Sequence, residues 1–309
     1  MYHAARIVAK QSASPTVTIL RLHSPSLPTF RPGQWIDFTV PGRDWIGGFS
    51  LSSCPTELPL LEIAVKSARH APAQWVRDES NIDDCVQIQV GGSCVLLLSS
   101  SSSSSSVTAL NRPTYFCAGG IGVSPLLSMY RQHVQERERA EQVQTNQKES
   151  NHNIHNHNDR NHENQSRTEF PKASFYYSVR HHNEIVYGKE LRELAARHGD
   201  DLNVFVTRAD SAHNSNGSEE VKDVAIPLTA GTKADIVVAA AATHSANPQN
   251  THCGRERLRH FLEKSTETVG SNLSPLYYLC GPPSMQDDAI AILQSRGVAD
   301  NSIIYERWW

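Results

Sequence analysis

The stretch Ala118-Gly119-Gly120-Ile121-Gly122-Val123-Ser124-Pro125 decides the reading of this chain. It follows Thr114–Ala118, an apolar run of the length of one buried strand. It precedes a segment with Leu126, Leu127, Tyr130 and Val134 at helical spacing. Glycines at such a junction let the backbone turn tightly and let an anionic group approach its amides. The helix start adds unpaired N–H groups and the positive end of a dipole. Pro125 suits a first helical turn and Ser124 a capping position. The junction is therefore a candidate phosphate cradle. Glycine pairs also join strands to helices where no ligand binds, so the stretch alone leaves both readings open.

Downstream, the rhythm of a parallel sheet continues. Ser174–Val179, Leu202–Thr207, Pro275–Cys280 and Ser302–Tyr305 read as strands. Val123 to about Arg139, Lys189–Arg197, Leu258–Lys264 and Ser284–Arg296 read as helices. This alternation implies a parallel sheet covered on both faces, with ligands at the C-terminal strand ends. A second junction, Tyr278-Leu279-Cys280-Gly281-Pro282-Pro283-Ser284-Met285, falls at that same edge. Two polar tracts, Gln135–Thr168 and Asp210–Lys222, read as disordered surface insertions.

Upstream, residues 1–98 read as a small antiparallel barrel. Arg6–Val8, Thr16–Leu22, Gln34–Val40, Phe49–Ser52, Leu60–Lys66 and Val86–Val90 are the expected strands, with a short helix at Ala73–Asp78. Turns are expected at Pro32-Gly33, Pro41-Gly42 and Gly91-Gly92. The unbroken run Ser99–Ser106 reads as a linker. The fold class expected is thus two-domain: an N-terminal antiparallel β-barrel over 1–110 and a C-terminal parallel α/β nucleotide-binding domain over 111–309.

Composition narrows the function classes. The 309 residues carry a net charge of −3 without a basic block, which gives no basis for nucleic-acid binding. The longest apolar run, Ile236–Ala242, is too short to cross a membrane. The six cysteines form no CxxC pair, which argues against a zinc ribbon, a thioredoxin-like site or a local iron–sulfur motif. His152, His155, His157 and His162 lie in an Asn-rich tract without a ligand spacing, so no metal site is expected. Before Asp37 the chain has Arg6, Lys10, Arg21 and Arg31 but no acid. That faintly suggests an organelle presequence, but a first strand pair is the favoured reading.

Taken together, AGGIGVSPLLSM (118–129) and YLCGPPSM (278–285) resemble the nicotinamide-binding domain of the ferredoxin–NADP reductase-like superfamily. The N-terminal half agrees. Arg31-Pro32-Gly33-Gln34-Trp35, Gly48-Phe49-Ser50-Leu51-Ser52-Ser53, Ile63-Ala64-Val65-Lys66 and Val90-Gly91-Gly92 resemble its flavin-binding barrel. Gly47-Gly48-Phe49-Ser50, His70-Ala71-Pro72-Ala73-Gln74-Trp75-Val76 and Tyr305-Glu306-Arg307-Trp308-Trp309 resemble one subgroup, oxidoreductase NAD-binding domain-containing protein 1. That subgroup is linked to mitochondria, so a mitochondrial location is expected, or a cytoplasmic one without a presequence.

The resemblance implies roles for particular residues. Gly119, Gly120 and Gly122, flanked by Ala118, Ile121 and Val123, would cradle the NAD(P)H pyrophosphate, with Ser124 near the nicotinamide ribose. Cys280, Gly281 and Pro282 would face the nicotinamide. Thr207 and Arg208 would meet the adenosine half, and Ser178 and Arg180 the adenine ribose. Arg180 would accept a 2′-phosphate or else be a solvated surface residue. The nearest acid, Glu184, lies several residues on, so NADH versus NADPH stays open. For FAD, Phe49 would pack on the ring or ribityl chain, Ser50 would hydrogen-bond the ring, and Val65 and Lys66 would lie alongside. Trp309 would cover the flavin face or anchor the last strand.

The resemblance also implies a reaction. Hydride passes from NAD(P)H to FAD, and electrons pass to a separate acceptor. Ser50, Cys280 and Trp309 lie nearest the chemistry, with Cys280 as a positioning group. Two departures weaken the FAD phosphate site. Gly47 stands where the superfamily usually carries an arginine, and His70-Ala71-Pro72-Ala73 replaces a glycine–serine turn. Losing a charge-assisted phosphate contact costs about 1.5–3 kcal/mol, which His70 or Arg69 would partly replace, so FAD is expected to be weakly held, held differently or absent. A rival reading follows, in which the chain is a non-enzymatic NAD(P)-binding sensor with a degenerate flavin site. A flavin-free dehydrogenase ranks last, because no Tyr–Lys or His–Asp pairing is spaced for it.

Overall fold

The computed structural model describes residues 1–97, 109–154, 170–208, 251–267 and 274–307. The serine run, the polar tract beyond Ile154, the tract 210–222 and the apolar run Ile236–Ala242 lie outside them.

The N-terminal half is a six-stranded antiparallel sheet: β1 (His3–Ser14), β2 (Val17–His23), β3 (Trp35–Thr39), β4 (Ile46–Ser50), β5 (Leu60–Lys66) and β6 (Cys85–Gly91), in the order β4-β3-β6-β1-β2-β5. A bridge from Leu51 to Ile63 joins the two edges and closes the barrel. Its interior is filled by alternating inward side chains such as Ile7, Leu20, Ile36, Phe38 and Ile88. One helix, α1 (Ala71–Asp78), follows β5. β1 extends well beyond Arg6–Val8. Its outer half is polar and pairs with β2 rather than with the core, so it shows no apolar run. Arg6 and Lys10 are built into this strand. Arg6 pairs with Asp83 at 2.7 Å, and Lys10 donates to the Ser80 carbonyl at 2.8 Å.

The C-terminal half is a five-stranded parallel sheet: β7 (Thr114–Gly119), β8 (Ala173–Val179), β9 (Asp201–Val206), β10 (Leu276–Cys280) and β11 (Ile303–Tyr305), in the order β11-β10-β7-β8-β9. Alternate residues feed two cores. Phe116, Phe175 and Tyr278 stack under the long helix α2 (Val123–Ile154). Tyr115, Tyr176 and Tyr277 face α4 (Thr251–Glu267) and α5 (Pro283–Ser295). The remaining helix, α3 (Gly188–His198), packs against α2 and β9.

One expectation is corrected. The polar tract from Gln135 was read as disordered, but α2 runs to Ile154, about 48 Å in all. Residues 135–154 contain many Glu, Gln, Arg and Lys and neither Gly nor Pro. Such side chains favour helix without supplying an apolar face.

Below α2 lies a buried polar cluster. Arg137 makes a two-point ion pair with Asp200, which also accepts from the Tyr130 hydroxyl and the Ala173 amide. Beside it His133 is 1 % exposed, and neither ring nitrogen has a partner. Burial, reinforced by Arg137, pulls its pKa down to about 4. In the unfolded chain the ring titrates near its ordinary 6.5, so below that pH the unfolded state takes the proton first. We expect the stability contributed by neutral His133 to be lost as pH falls from about 6.5 to about 4. The loss amounts to about 3 kcal/mol. Urea unfolding of wild type and His133→Leu across this range checks it. An unchanged pH slope in the variant would contradict the assignment.

The two halves are fastened together. Ile121 and Tyr187 pack with Val186 against Val17, Ile19 and Ala64 of the barrel. Ser128 Oγ donates to the Ser53 carbonyl at 2.6 Å. Trp35 Nε1 donates to Glu306 at 3.1 Å. Arg131 donates to both oxygens of Glu190 and to the Ser52 carbonyl, and lies 3.7 Å from buried Glu62. Tyr187 holds a left-handed backbone at the start of α3, and its hydroxyl lies 2.9 Å from Ser52 Oγ.

Candidate active site

Two cavities meet where the C-terminal edge of the parallel sheet faces the barrel. The larger, about 690 Å³, lies over the ends of β8 and β9. Its walls carry Lys66, Arg180, Arg208 and Arg255. Lys66 lies 3.7 Å from Glu184, and Arg255 pairs with Asp288 at 2.9 Å. Arg180 and Arg208 have no side-chain partner among the described residues. Their backbones are tied, Arg208 N donating to Arg180 O at 2.8 Å. The cavity thus presents two uncompensated positive charges at one end.

The smaller cavity, about 440 Å³, lies between the barrel and the glycine junction. Gly48, Phe49, Ser50, Ala64, Ser67 and His70 form its barrel side, and Gly120, Ser124, Cys280 and Gly281 lie opposite. Lys66, Gly119, Gly120 and Pro282 belong to both cavities, so the two spaces share one wall.

The glycines divide the work. A Cβ on Gly122 would lie 2.3 Å from the Cys280 carbonyl oxygen, and one on Gly119 would lie 2.7 Å from Pro282. These two glycines let the junctions after β7 and β10 touch. Gly120 differs. Its φ is +55°, and nothing lies within 4 Å of where its Cβ would stand. It is the bare point of the loop, open to both cavities.

Ser124 supplies an independent sign of a ligand. It is 1 % exposed, it lines the smaller cavity, and its hydroxyl has no partner. A buried hydroxyl left unpaired is costly, and a bound polar group would satisfy it. Ser124→Ala is therefore expected to leave the melting temperature unchanged or slightly higher, while weakening nucleotide binding about three- to tenfold. Thermal unfolding and a binding titration on the same preparations separate the two effects. A lower melting temperature with intact binding would make the hydroxyl structural.

Cys280 is buried at the end of β10. Burial raises its thiol well above the ordinary range, and nearby Cys94 and Glu306 push the same way. It stays protonated and is a poor nucleophile.

Most of the residues expected from sequence come together here. Phe49, Ser50, Lys66, Ile121, Ser124, Cys280 and Gly281 line the smaller cavity. Ser178, Arg180, Thr207 and Arg208 line the larger. Val65, Ala118 and Val123 are buried behind the walls and line neither. Trp309 lies outside the described residues. Sequence reasoning missed Ser67, Gly254, Arg255 and Asp288, which sit in no motif. It did not anticipate that Glu184 faces Lys66 across the domain boundary.

The walls suit a nicotinamide dinucleotide better than they suit a complete FAD. The open Gly120, the orphaned Ser124 hydroxyl and the two free arginines fit NAD(P)H. On the barrel side, Ser50 and Ser67 with the nearby apolar wall fit a flavin ring and its polyol chain. The diphosphate end does not fit. A Cβ on Gly47 would lie 2.7 Å from Pro72 and 2.9 Å from the Phe49 ring, so no side chain can project there.

Comparisons with known proteins agree with this geometry. Residues 114–292, more than half the chain, match the ferric reductase NAD binding domain family. The chain is 26 % identical over 311 residues to oxidoreductase NAD-binding domain-containing protein 1 of Pongo abelii, covering 99 % of this chain and 79 % of that protein. The flavohem-like FAD/NAD binding domain of nitric oxide dioxygenase from Vibrio cholerae superposes with a TM-score of 0.60 at 17 % identity, covering 99 % of this chain and 98 % of that one. Ferredoxin-NADP+ reductase from Plasmodium falciparum with 2′P-AMP gives 0.61 at 15 %, covering 99 % and 96 %. The fold is that of the ferredoxin–NADP reductase-like proteins, and by its strand–glycine–helix core the chain belongs to the ferric reductase NAD-binding domain family.

Proposed function

We propose that the chain is an NAD(P)H-dependent oxidoreductase that passes hydride from a nicotinamide to a flavin held against the barrel, with electrons going on to a separate acceptor. The observation that carries this reading is the shared wall: a nucleotide stretched along the larger cavity reaches the smaller one at Gly119, Gly120 and Pro282.

A bound flavin supplies a ring that accepts hydride. The protein's own residues do the rest. Arg180 and Arg208 draw in the nucleotide's phosphate end. Gly120 lets its pyrophosphate lie close to the backbone. Protonated Cys280 offers a neutral, polarisable surface beside the nicotinamide. The packing of Ile121 and Tyr187 on the barrel keeps the two rings in register and the crevice narrow. Orientation of this kind is worth several kcal/mol of barrier.

An anaerobic absorbance titration with flavin, then NADH, then NADPH, tests the proposal. Bleaching of the flavin bands is expected. Binding of nucleotide without bleaching would favour the sensor reading, which the closed space at Gly47 motivates. The two free arginines match the extra phosphate of NADPH. Arg180→Ala and Arg208→Ala are each expected to raise the KM for NADPH about tenfold and to change that for NADH less. Equal effects on both nucleotides would remove the 2′-phosphate from their role.

A further inference from the structure

The smaller cavity is built for only half of a dinucleotide. Its polar groups on the barrel side are Ser50, Ser67 and His70, which suit a ring and the hydroxyls of a polyol chain. Its one permanent cation is Lys66, already 3.7 Å from Glu184 and shared with the other cavity. At Gly47, where the resemblance would put the arginine that pairs with an FAD diphosphate, the space is filled. The Phe49 ring lies across Gly47, and His70 stacks on Phe49 with centroids 6.1 Å apart and planes 29° from parallel. Buried Pro72 closes the same spot and stands in the first turn of α1. A proline has no N–H, so the helix start presents one donor fewer. The larger cavity, by contrast, carries Arg180 and Arg208, which have no side-chain partner among the described residues.

Resting on the function proposed above, we propose that this crevice holds flavin by its ring and ribityl chain alone. Flavin is then an exchangeable substrate rather than a resident FAD, and riboflavin, FMN and FAD are equivalent to it. The step balances with no further reactant. The C4–H bond of the dihydronicotinamide breaks, its hydride forms the bond at flavin N5, and a proton from water goes to N1. Oxidised NAD(P)+ and two-electron-reduced flavin are released, and the reduced flavin carries the electrons away by diffusion.

The test uses the full chain. It is incubated with FAD, desalted, and its spectrum recorded. NAD(P)H oxidation is then followed under anaerobic conditions with riboflavin, FMN or FAD added. The expected result is no flavin retained, and kcat/KM values for the three flavins within about tenfold of each other. Ser50→Ala should raise the KM of all three by a common factor of about three to ten, because the shared part of the molecule is what it touches. One FAD per chain surviving desalting, or FAD preferred over riboflavin by more than a hundredfold, would overturn the inference while the reductase reading stands. Reduction of none of the three, with nucleotide binding intact, would overturn the reductase reading itself and the inference with it.

Discussion

Gly122→Ala is expected to lower kcat/KM by at least a hundredfold, with nucleotide binding weakened and the fold retained in large part. The reason is a backbone contact. The new methyl would stand 2.3 Å from the Cys280 carbonyl oxygen and 2.5 Å from its carbon. Neither belongs to a flexible side chain that can swing aside. The junctions after β7 and β10 must therefore part, and these junctions carry the nucleotide. A displacement of about 1 Å at a reacting centre costs on the order of a hundredfold. Gly120→Ala is a control for the fold alone, since the pyrophosphate would lie against it. It meets no atom, and its cost is the left-handed backbone, about 1–2 kcal/mol. Steady-state kinetics and circular dichroism on both variants check this. If Gly122→Ala keeps the activity of the wild type, the tight approach of the two loops is not what shapes the site.

Arg131→Met should destabilise the protein by about 3–5 kcal/mol. Burial disfavours its charge, but the hydrogen bonds and attraction of Glu190, then Glu57 and Glu62, more than offset this and raise its pKa. Removing the guanidinium leaves Glu62, whose side chain is 8 % exposed, with the outward-facing Arg21 at 3.1 Å as its one cationic partner among the described residues, beside a hydrogen bond from Ser52 Oγ at 2.9 Å. It also frees Glu190 and the Ser52 carbonyl, which lie on opposite halves of the molecule. Denaturant unfolding measures the loss, and Glu62→Gln in the Arg131→Met background should recover part of it. A loss below about 1 kcal/mol would show that the apolar contacts of Ile121, Val186 and Tyr187 hold the halves unaided.

The parallel sheet was legible because its strands are buried on both faces. Thr114–Ala118 and Pro275–Cys280 are continuous apolar runs, and each ends in glycine. The glycine junction marked the site for the same reason, since its geometry demands particular residues. The barrel's outer strand was less legible. β1 beyond Val8 pairs through its backbone, and none of its side chains is fully buried. The far part of α2 was misread because polarity was taken as disorder, when it only meant that the helix leaves the core. Within the site, the cavity's other charges were hidden by distance along the chain. Arg255 and Asp288 belong to helices 33 residues apart and meet only through the fold. Gly47 was visible as a departure, but only the packing of Phe49, His70 and Pro72 shows that the space it leaves is filled.

The wall common to the two cavities also constrains the order of events. A resident flavin lets one nucleotide leave before the next partner arrives, and its initial-velocity plots run parallel. Here Lys66, Gly119, Gly120 and Pro282 border both spaces. A visiting flavin of the kind proposed above must take its hydride while the donor is still bound, so both occupy the crevice at the same moment. The rate law that follows is that of a ternary complex, with intersecting lines. The first molecule to bind completes the pocket for the second.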